Sequence, residues 1–316
     1  MYSPFLTPMK YLLFSLLLWP LGLQGQGCSD AGFCTMGAMK PDQKFYKQKP
    51  VRLLAIELSQ YFGTTRLNDQ SHATTLDANI GIGQKNTLQV KLPYLVNTGR
   101  LGSNQGLGDL SLSFTRSLFS SEKQQFQATL GMKIPTSDAR QRNAEGFELP
   151  MFYQSSLGTF DLVAGISYIN RQWLFAAGIQ HPLNRVENSF HPGSWNGSEL
   201  TAEAAVYPVS NQLYRGTDVM LRVERNFRFS RFNFHLGLLP IYRIKGDVVS
   251  NPERTERFEV DKTTGLALSA LLGFGYHFNT KLGLKGLLGR RIVEREKNPD
   301  GLYREFVSSL GIEWRF

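Results

Sequence analysis

The chain has 316 residues, 35 lysines and arginines against 26 aspartates and glutamates, a formal charge of +9 and 41% hydrophobic residues. Beyond the first 25 positions no run approaches the roughly twenty apolar residues that a membrane helix needs, which excludes a helical membrane protein. The bases are scattered, with no basic helix and no nucleic-acid motif, so nucleic acid is excluded as the partner of the positive charge.

In chain order, the first element is an export signal. Lys10 precedes an apolar run from Tyr11 to Leu23, broken only by Ser15, Pro20 and Gly22, and the small and polar Gln24-Gly25-Gln26-Gly27 follows. That order of positive, apolar and small residues predicts a signal peptide over 1–25, cut after Gly25. A lipoprotein anchored at Cys28 would want leucine three positions earlier, where Gly25 stands. Residues 26–50 read as a periplasmic tail. It holds the only two cysteines, Cys28 and Cys34, which an oxidising compartment would close into a small disulfide ring. With Met36 and Met39 they also make four soft sulfur donors suited to Cu(I). The disulfide is the preferred reading, and no metal or cofactor is assigned. Whether the tail plugs a lumen or docks a partner is open at this stage.

From residue 51 onward the pattern is period two, as in strands with one apolar and one polar face. Twelve strands are expected, at 51–62, 72–83, 87–97, 106–119, 124–136, 160–170, 172–182, 216–229, 231–245, 263–278, 280–293 and 302–316. Leu88, Val90, Leu92, Tyr94 and Val96 share one face, and Leu110, Leu112, Phe114 and Leu118 another. The tenth strand is the clearest, with Leu266, Leu268, Ala270, Leu272, Phe274, Tyr276 and Phe278 set against Gly265, Ala267, Ser269, Gly273, Gly275 and His277. Arg116, Arg225 and Arg290 fall on apolar faces and are expected near a membrane interface, since an arginine at mid-bilayer costs about 2–4 kcal/mol. Short connections near 84–86, 120–123, 170–171, 230 and 279–280 alternate with long ones at 63–71, 97–105, 137–159, 183–215, 246–262 and 294–301. Alternation of short and long joins is what a membrane-spanning barrel requires. The last strand runs Leu310-Gly311-Ile312-Glu313-Trp314-Arg315-Phe316. It resembles the closing strand of outer-membrane barrels, whose final aromatic is read by the barrel-assembly machinery; Trp314 and Phe316 would carry that signal.

The fold class expected is therefore all-β: a closed antiparallel transmembrane β-barrel of about twelve strands in the outer membrane of a Gram-negative bacterium. A further resemblance lies within it. Leu92-Pro93-Tyr94 with Gly106-Leu107-Gly108-Asp109-Leu110, and later Leu157-Gly158-Thr159-Phe160-Asp161, resemble the outer-membrane transporter family named for the phenol-degradation meta-pathway. The likeness covers about residues 50 to 316 and implies a porin-like barrel taking up small, hydrophobic or aromatic molecules.

The register also gives a lumen inventory. Inward acids are Glu57, Asp77, Asp109, Asp161, Glu224, Glu305 and Glu313; inward bases are Lys91, Lys133, Arg222, Arg228, Arg231, Arg243, Lys281, Lys285, Arg291 and Arg315, with His235 and His277 beside them. The basic excess predicts weak anion preference if the pore conducts, and mutual pairing of these charges predicts a plugged lumen. The expected function is a channel for small hydrophobic or anionic solutes, in contact with outer-membrane lipid and lipopolysaccharide. The alternatives are a non-conducting scaffold or adhesin displaying long loops, and a barrel lipid hydrolase using the loop His191 to Ser198. For the last, a nucleophile and base would share one Pro/Gly-rich loop instead of meeting on a rigid wall, so no catalytic residue and no enzyme is assigned.

Overall fold

A computed structural model describes Met36 and residues 51–316; the signal peptide and the Cys28/Cys34 pair lie outside the described residues. Strands β1 (Val51–Thr64), β2 (Gln70–Ile82), β3 (Asn86–Gly99), β4 (Gly102–Leu107), β5 (Leu110–Ser120) and β6 (Gln124–Ile134) come first. They are followed by β7 (Asp161–Asn170), β8 (Trp173–Pro182), β9 (Asp218–Arg228) and β10 (Phe232–Arg243). After the short hairpin β11 (Val248–Ser250) and β12 (Arg257–Glu259), the chain ends with β13 (Gly265–His277), β14 (Leu282–Val293) and β15 (Phe306–Arg315).

Thirteen of these make one closed antiparallel barrel of twelve strands, β4 and β5 together forming the fourth. Strands adjacent around the barrel pair with one another, β1 pairs with both β2 and β15, and β2 pairs with β3, so the sheet closes on itself; β4 pairs with β3 alone, at the loop end. The seam runs from Ala55 opposite Arg315 to Thr64 opposite Phe306. Closure satisfies every ladder within the barrel, which is the condition for a sheet to stand in hydrocarbon.

Period-two alternation is visible in the burial. Leu58, Leu76, Phe114, Leu130, Ile166, Leu221, Leu236, Leu310 and Ile312 are exposed on the outer surface, while Asp77, Gln89, Ser113, Thr129, Ser167 and Arg222 on the other face are buried. Aromatics collect at both ends of the apolar belt. Tyr94, Phe160 and Tyr242 lie toward the long loops, and Phe119, Phe175, Phe229, Phe232, Phe278, Trp314 and Phe316 toward the short turns, all of them exposed. These are the girdles of a transmembrane barrel, and the short turns mark its periplasmic end.

Three local differences from the sequence reading have physical reasons. The fourth strand is broken at Gly108 and Asp109 into β4 and β5, because Gly108 donates to Pro93 O (2.8 Å) and sits so close to the Pro93 and Leu95 side chains that a Cβ would clash. The connections expected at 63–71 and 97–105 are not long loops. The first is the five-residue turn 65–69, and the second is the tip of a β-hairpin in which Gly99 faces Gly102. The remaining long connections fold into a cap with its own cores. Leu101, Leu149, Phe152, Tyr153, Phe190, Trp195, Ala204 and Tyr207 form one cluster, and Ala139, Met151, Leu157, Val186, Leu213 and Val249 a second.

Candidate functional site: a roofed lumen

The cap is fastened to the barrel by ionic contacts. Arg243, at the loop end of β10, is fully buried and faces three carboxylates: Asp218 on β9, Asp247 just past β10, and Asp300 from the loop before β15, each with an oxygen at 2.7 Å. Asp218 stands directly opposite Arg243 in the ladder and also accepts from Arg295 at 3.1 Å. Next to it, Arg215 pairs with Asp161 at the start of β7. Burial alone would push the Asp300 carboxyl up, but the Arg243, Arg295 and Arg215 guanidiniums outweigh it and hold the group well below the usual carboxylate range. Charges at this density in a dry site persist only because each acid has a cationic partner.

A second fastening is neutral on one side. Asp69, in the turn between β1 and β2, accepts from Tyr207 (2.7 Å) and Tyr153 (3.0 Å), and Thr65 donates to its other oxygen at 3.2 Å. Burial pushes the Asp69 carboxyl above its usual range, against these hydrogen bonds, and pushes both tyrosine hydroxyls up as well.

The segments that carried the family resemblance meet here. Gly108 bonds Pro93, and the neighbouring Asp109 accepts from Ser156 Oγ (2.6 Å) and Leu157 N (3.1 Å) while pairing with Lys133 at 3.2 Å. Asp109 therefore pins the loop segment 154–158 to the wall.

Beneath the cap lies a cavity of about 240 Å³. Its wall comes from β1–β3, β5, β6, β10 and β13–β15 and sets the charged groups Glu57, Asp77, Lys91, Asp109, Lys133 and Lys285 among apolar side chains such as Leu95, Phe274 and Val307; its roof includes Met151, Phe152, Leu157 and Leu302. Lys285 pairs with Glu57 (3.1 Å) and with Glu313, which also holds Arg315. Asp77 accepts from Gln89 at 2.7 Å.

The opposite wall departs from the wet lumen that alternation predicts. Val163, Ile169, Leu174, Ala176, Met220, Leu239 and Leu271 point inward from β7–β10 and β13 and form a buried apolar cluster that includes Met36. The tail thus places at least this one methionine inside the barrel, 1% exposed.

The candidate lumen residues sort by height. Lys91, Asp109, Lys133, Lys285 and His235 line the cavity. Arg222 and Glu224 are fully buried as a mutual pair, with His235 Nε2 3.9 Å from Glu224. Arg243 belongs to the ionic cage. Arg291 pairs with Glu294, and Glu305 with Arg66 at 3.1 Å, both at the loop end. Arg228, Arg231 and Lys281 stand exposed at the short turns, outside the pore interior. Trp314 and Phe316 are exposed on the outer face. Asp218, Arg215, Asp247, Arg295 and Asp300 escaped the sequence inventory. Only the Asp218–Arg243 opposition carried a signal there, as two inward charges facing each other across a hairpin.

In the loop 191–198 the Ser194 hydroxyl donates to the main-chain oxygen of His191 at 2.7 Å, not to its ring. Among the described residues no cluster of three or more His, Cys, Asp or Glu is arranged to hold a metal ion.

No protein-family model matches the chain, and no curated protein matches it in sequence. Among solved structures it is similar to an outer membrane channel from Pseudomonas putida F1, at 14% identity and a TM-score of 0.58 over 87% of this chain and 99% of that one. Weaker likenesses include the NanC porin (8% identity, TM-score 0.45, covering 83% of this chain and all of that one). The CymD monoaromatic hydrocarbon channel is comparable, at 10% identity and a TM-score of 0.42, over 92% and 98% of the two chains. The first likeness establishes the fold: this chain is a twelve-stranded barrel of the outer-membrane kind.

Proposed function

We propose that the barrel is a porin-like passage for small solutes, carried by the cavity between its wall and the cap. Residues 1–25 serve as the export signal, 26–50 as a periplasmic tail, and the Trp314–Phe316 end as the assembly signal. The wall charges neutralise one another in pairs, and the roof is apolar, which suits small solutes with an apolar body or a single anionic group. The likeness of the Pro93, Gly108–Asp109 and Leu157–Asp161 segments to the phenol-degradation meta-pathway transporters supports that class, and the similar fold of an outer membrane channel from Pseudomonas putida F1 supports passage as such. Passage requires the loop segment 154–158 to yield, and Asp109 holds it.

Liposome swelling and single-channel recording test this reading. Wild-type protein is expected to admit small solutes, and Asp109→Ala to raise the conducting fraction several-fold. Absence of conductance in both proteins overturns the channel in favour of a scaffold displaying its cap, a reading that the two packed loop cores support. Cation selectivity would remove anionic solutes from the class. The lipid-hydrolase reading is not carried forward, since the Ser194 hydroxyl is committed to a backbone oxygen.

A further inference from the structure

The short-turn end of the barrel is predominantly basic. Lys85, Lys123, Arg171, Arg228, Arg231 and Lys281 place at least one base on every turn, all exposed, and Glu122 is the one acid among the described turn residues. None of the six makes an ion pair within the chain among the described residues. A ring of like charge repels itself, so it needs a counter-charge from outside.

The strongest part of the ring faces lipid. Arg225 is on the outer surface of β9, registered between Trp173 and Leu236, whose side chains also point outward. Its guanidinium lies 4.9 Å from the Trp173 ring centroid and 5.8 Å from that of Phe227, and it donates to Gln172 Oε1 at 3.2 Å. No carboxylate reaches it among the described residues. Arg171 is exposed at the tip of the same turn. Phe227 stacks on Phe234 at 4.5 Å, so the aromatic floor is continuous. A guanidinium on the lipid face is costly unless it meets the headgroup layer. Aromatic rings at that height fix the depth, and the Arg225 guanidinium with Arg171 on the adjoining turn offers charged donors that suit phosphate oxygens.

We propose that the periplasmic rim binds anionic phospholipid headgroups of the inner leaflet, with Arg171 and Arg225 as the principal phosphate-binding pair on the Trp173/Phe227 platform. Each base near a charged lipid surface contributes about 1 kcal/mol, roughly a fivefold change in binding. The site is independent of whether the pore conducts.

Native mass spectrometry of the full-length folded barrel, released from equimolar phosphatidylglycerol and phosphatidylethanolamine, tests it. Wild type should retain phosphatidylglycerol in preference to phosphatidylethanolamine. Arg171→Gln should lower that preference about fivefold, and the double variant with Arg225→Gln should lower it further. Arg290→Gln, at the other end of the barrel, should leave it intact. Arg171 is an exposed turn residue, so its variant keeps the test valid if Arg225→Gln does not fold. Equal retention of the two lipids by wild type, or unchanged preference in Arg171→Gln, overturns the proposal. So does displacement of the lipid by an equal concentration of inorganic phosphate, which would mean a free-anion site.

Discussion

Arg243 is where the barrel and the cap are joined. It sits in a fully buried position with Asp218, Asp247 and Asp300 all at 2.7 Å, and those acids come from a strand and two separate loops. The arrangement is specific because it fails badly when incomplete. Replacing Arg243 with methionine keeps the volume but leaves three carboxylates facing one another with only Arg295 and Arg215 nearby. Breaking a buried pair in this way costs about 3–5 kcal/mol. The expected result is a lower temperature at which the unboiled, fast-migrating form disappears on a denaturing gel. A variant as heat-resistant as wild type would show that the cage adds nothing to the folded barrel. Arg222→Met would be milder, because it strands one carboxylate instead of three, and Glu224 keeps His235 3.9 Å away.

At the scale of elements, the strands were legible and the cap was not. Period two is a local signal: Leu266 through Phe278 declare their face residue by residue, and β13 came out at Gly265–His277 against an expected 263–278. The break at Gly108 was unreadable because its cause, the approach of Pro93 and Leu95, comes from a neighbouring strand. The cap was hidden for the same reason at longer range. Tyr153 bonds Asp69 across 84 residues, and Tyr207 bonds it across 138. The apolar lumen wall was equally invisible, since alternation reports which side a residue faces and not what covers it. Asp69 gives the cap a pH dependence of known sign. Its folded-state pKa is raised, so its contribution to stability is full when the group is protonated and fades as pH rises through the raised value. Asp300 works in the opposite sense, contributing above the ordinary carboxylate range and losing that contribution only when pH falls through its lowered value. Lowering pH from neutral toward the ordinary aspartate range should therefore raise the melting temperature of wild type relative to Asp69→Asn. A constant gap between the two proteins across that range would mean that Asp69 does not titrate within the folded cap.

For the whole molecule, the consequence of closure is that a residue and its neighbour live in different solvents. Ser309 and Leu310 are adjacent in β15, midway between its ends at Phe306 and Arg315. Ser309 lines the cavity beneath the cap, whereas Leu310 is 51% exposed on the outer surface. A soluble two-layer sheet would bury one of these faces in a core. A barrel in a bilayer instead gives Leu310 to hydrocarbon and Ser309 to the lumen. An arginine at mid-belt on the lipid face costs about 2–4 kcal/mol. The same side chain at 309 faces the cavity instead, with Tyr61 opposite it on β1, and stays out of hydrocarbon. Leu310→Arg is thus expected to lower the heat-modifiability midpoint in proportion to that cost, and Ser309→Arg to lower it much less. Because the two positions differ only in the side of the sheet they face, equal losses would mean that the outer surface does not meet lipid, and a greater loss at Ser309 would mean that the strand is out of register by one.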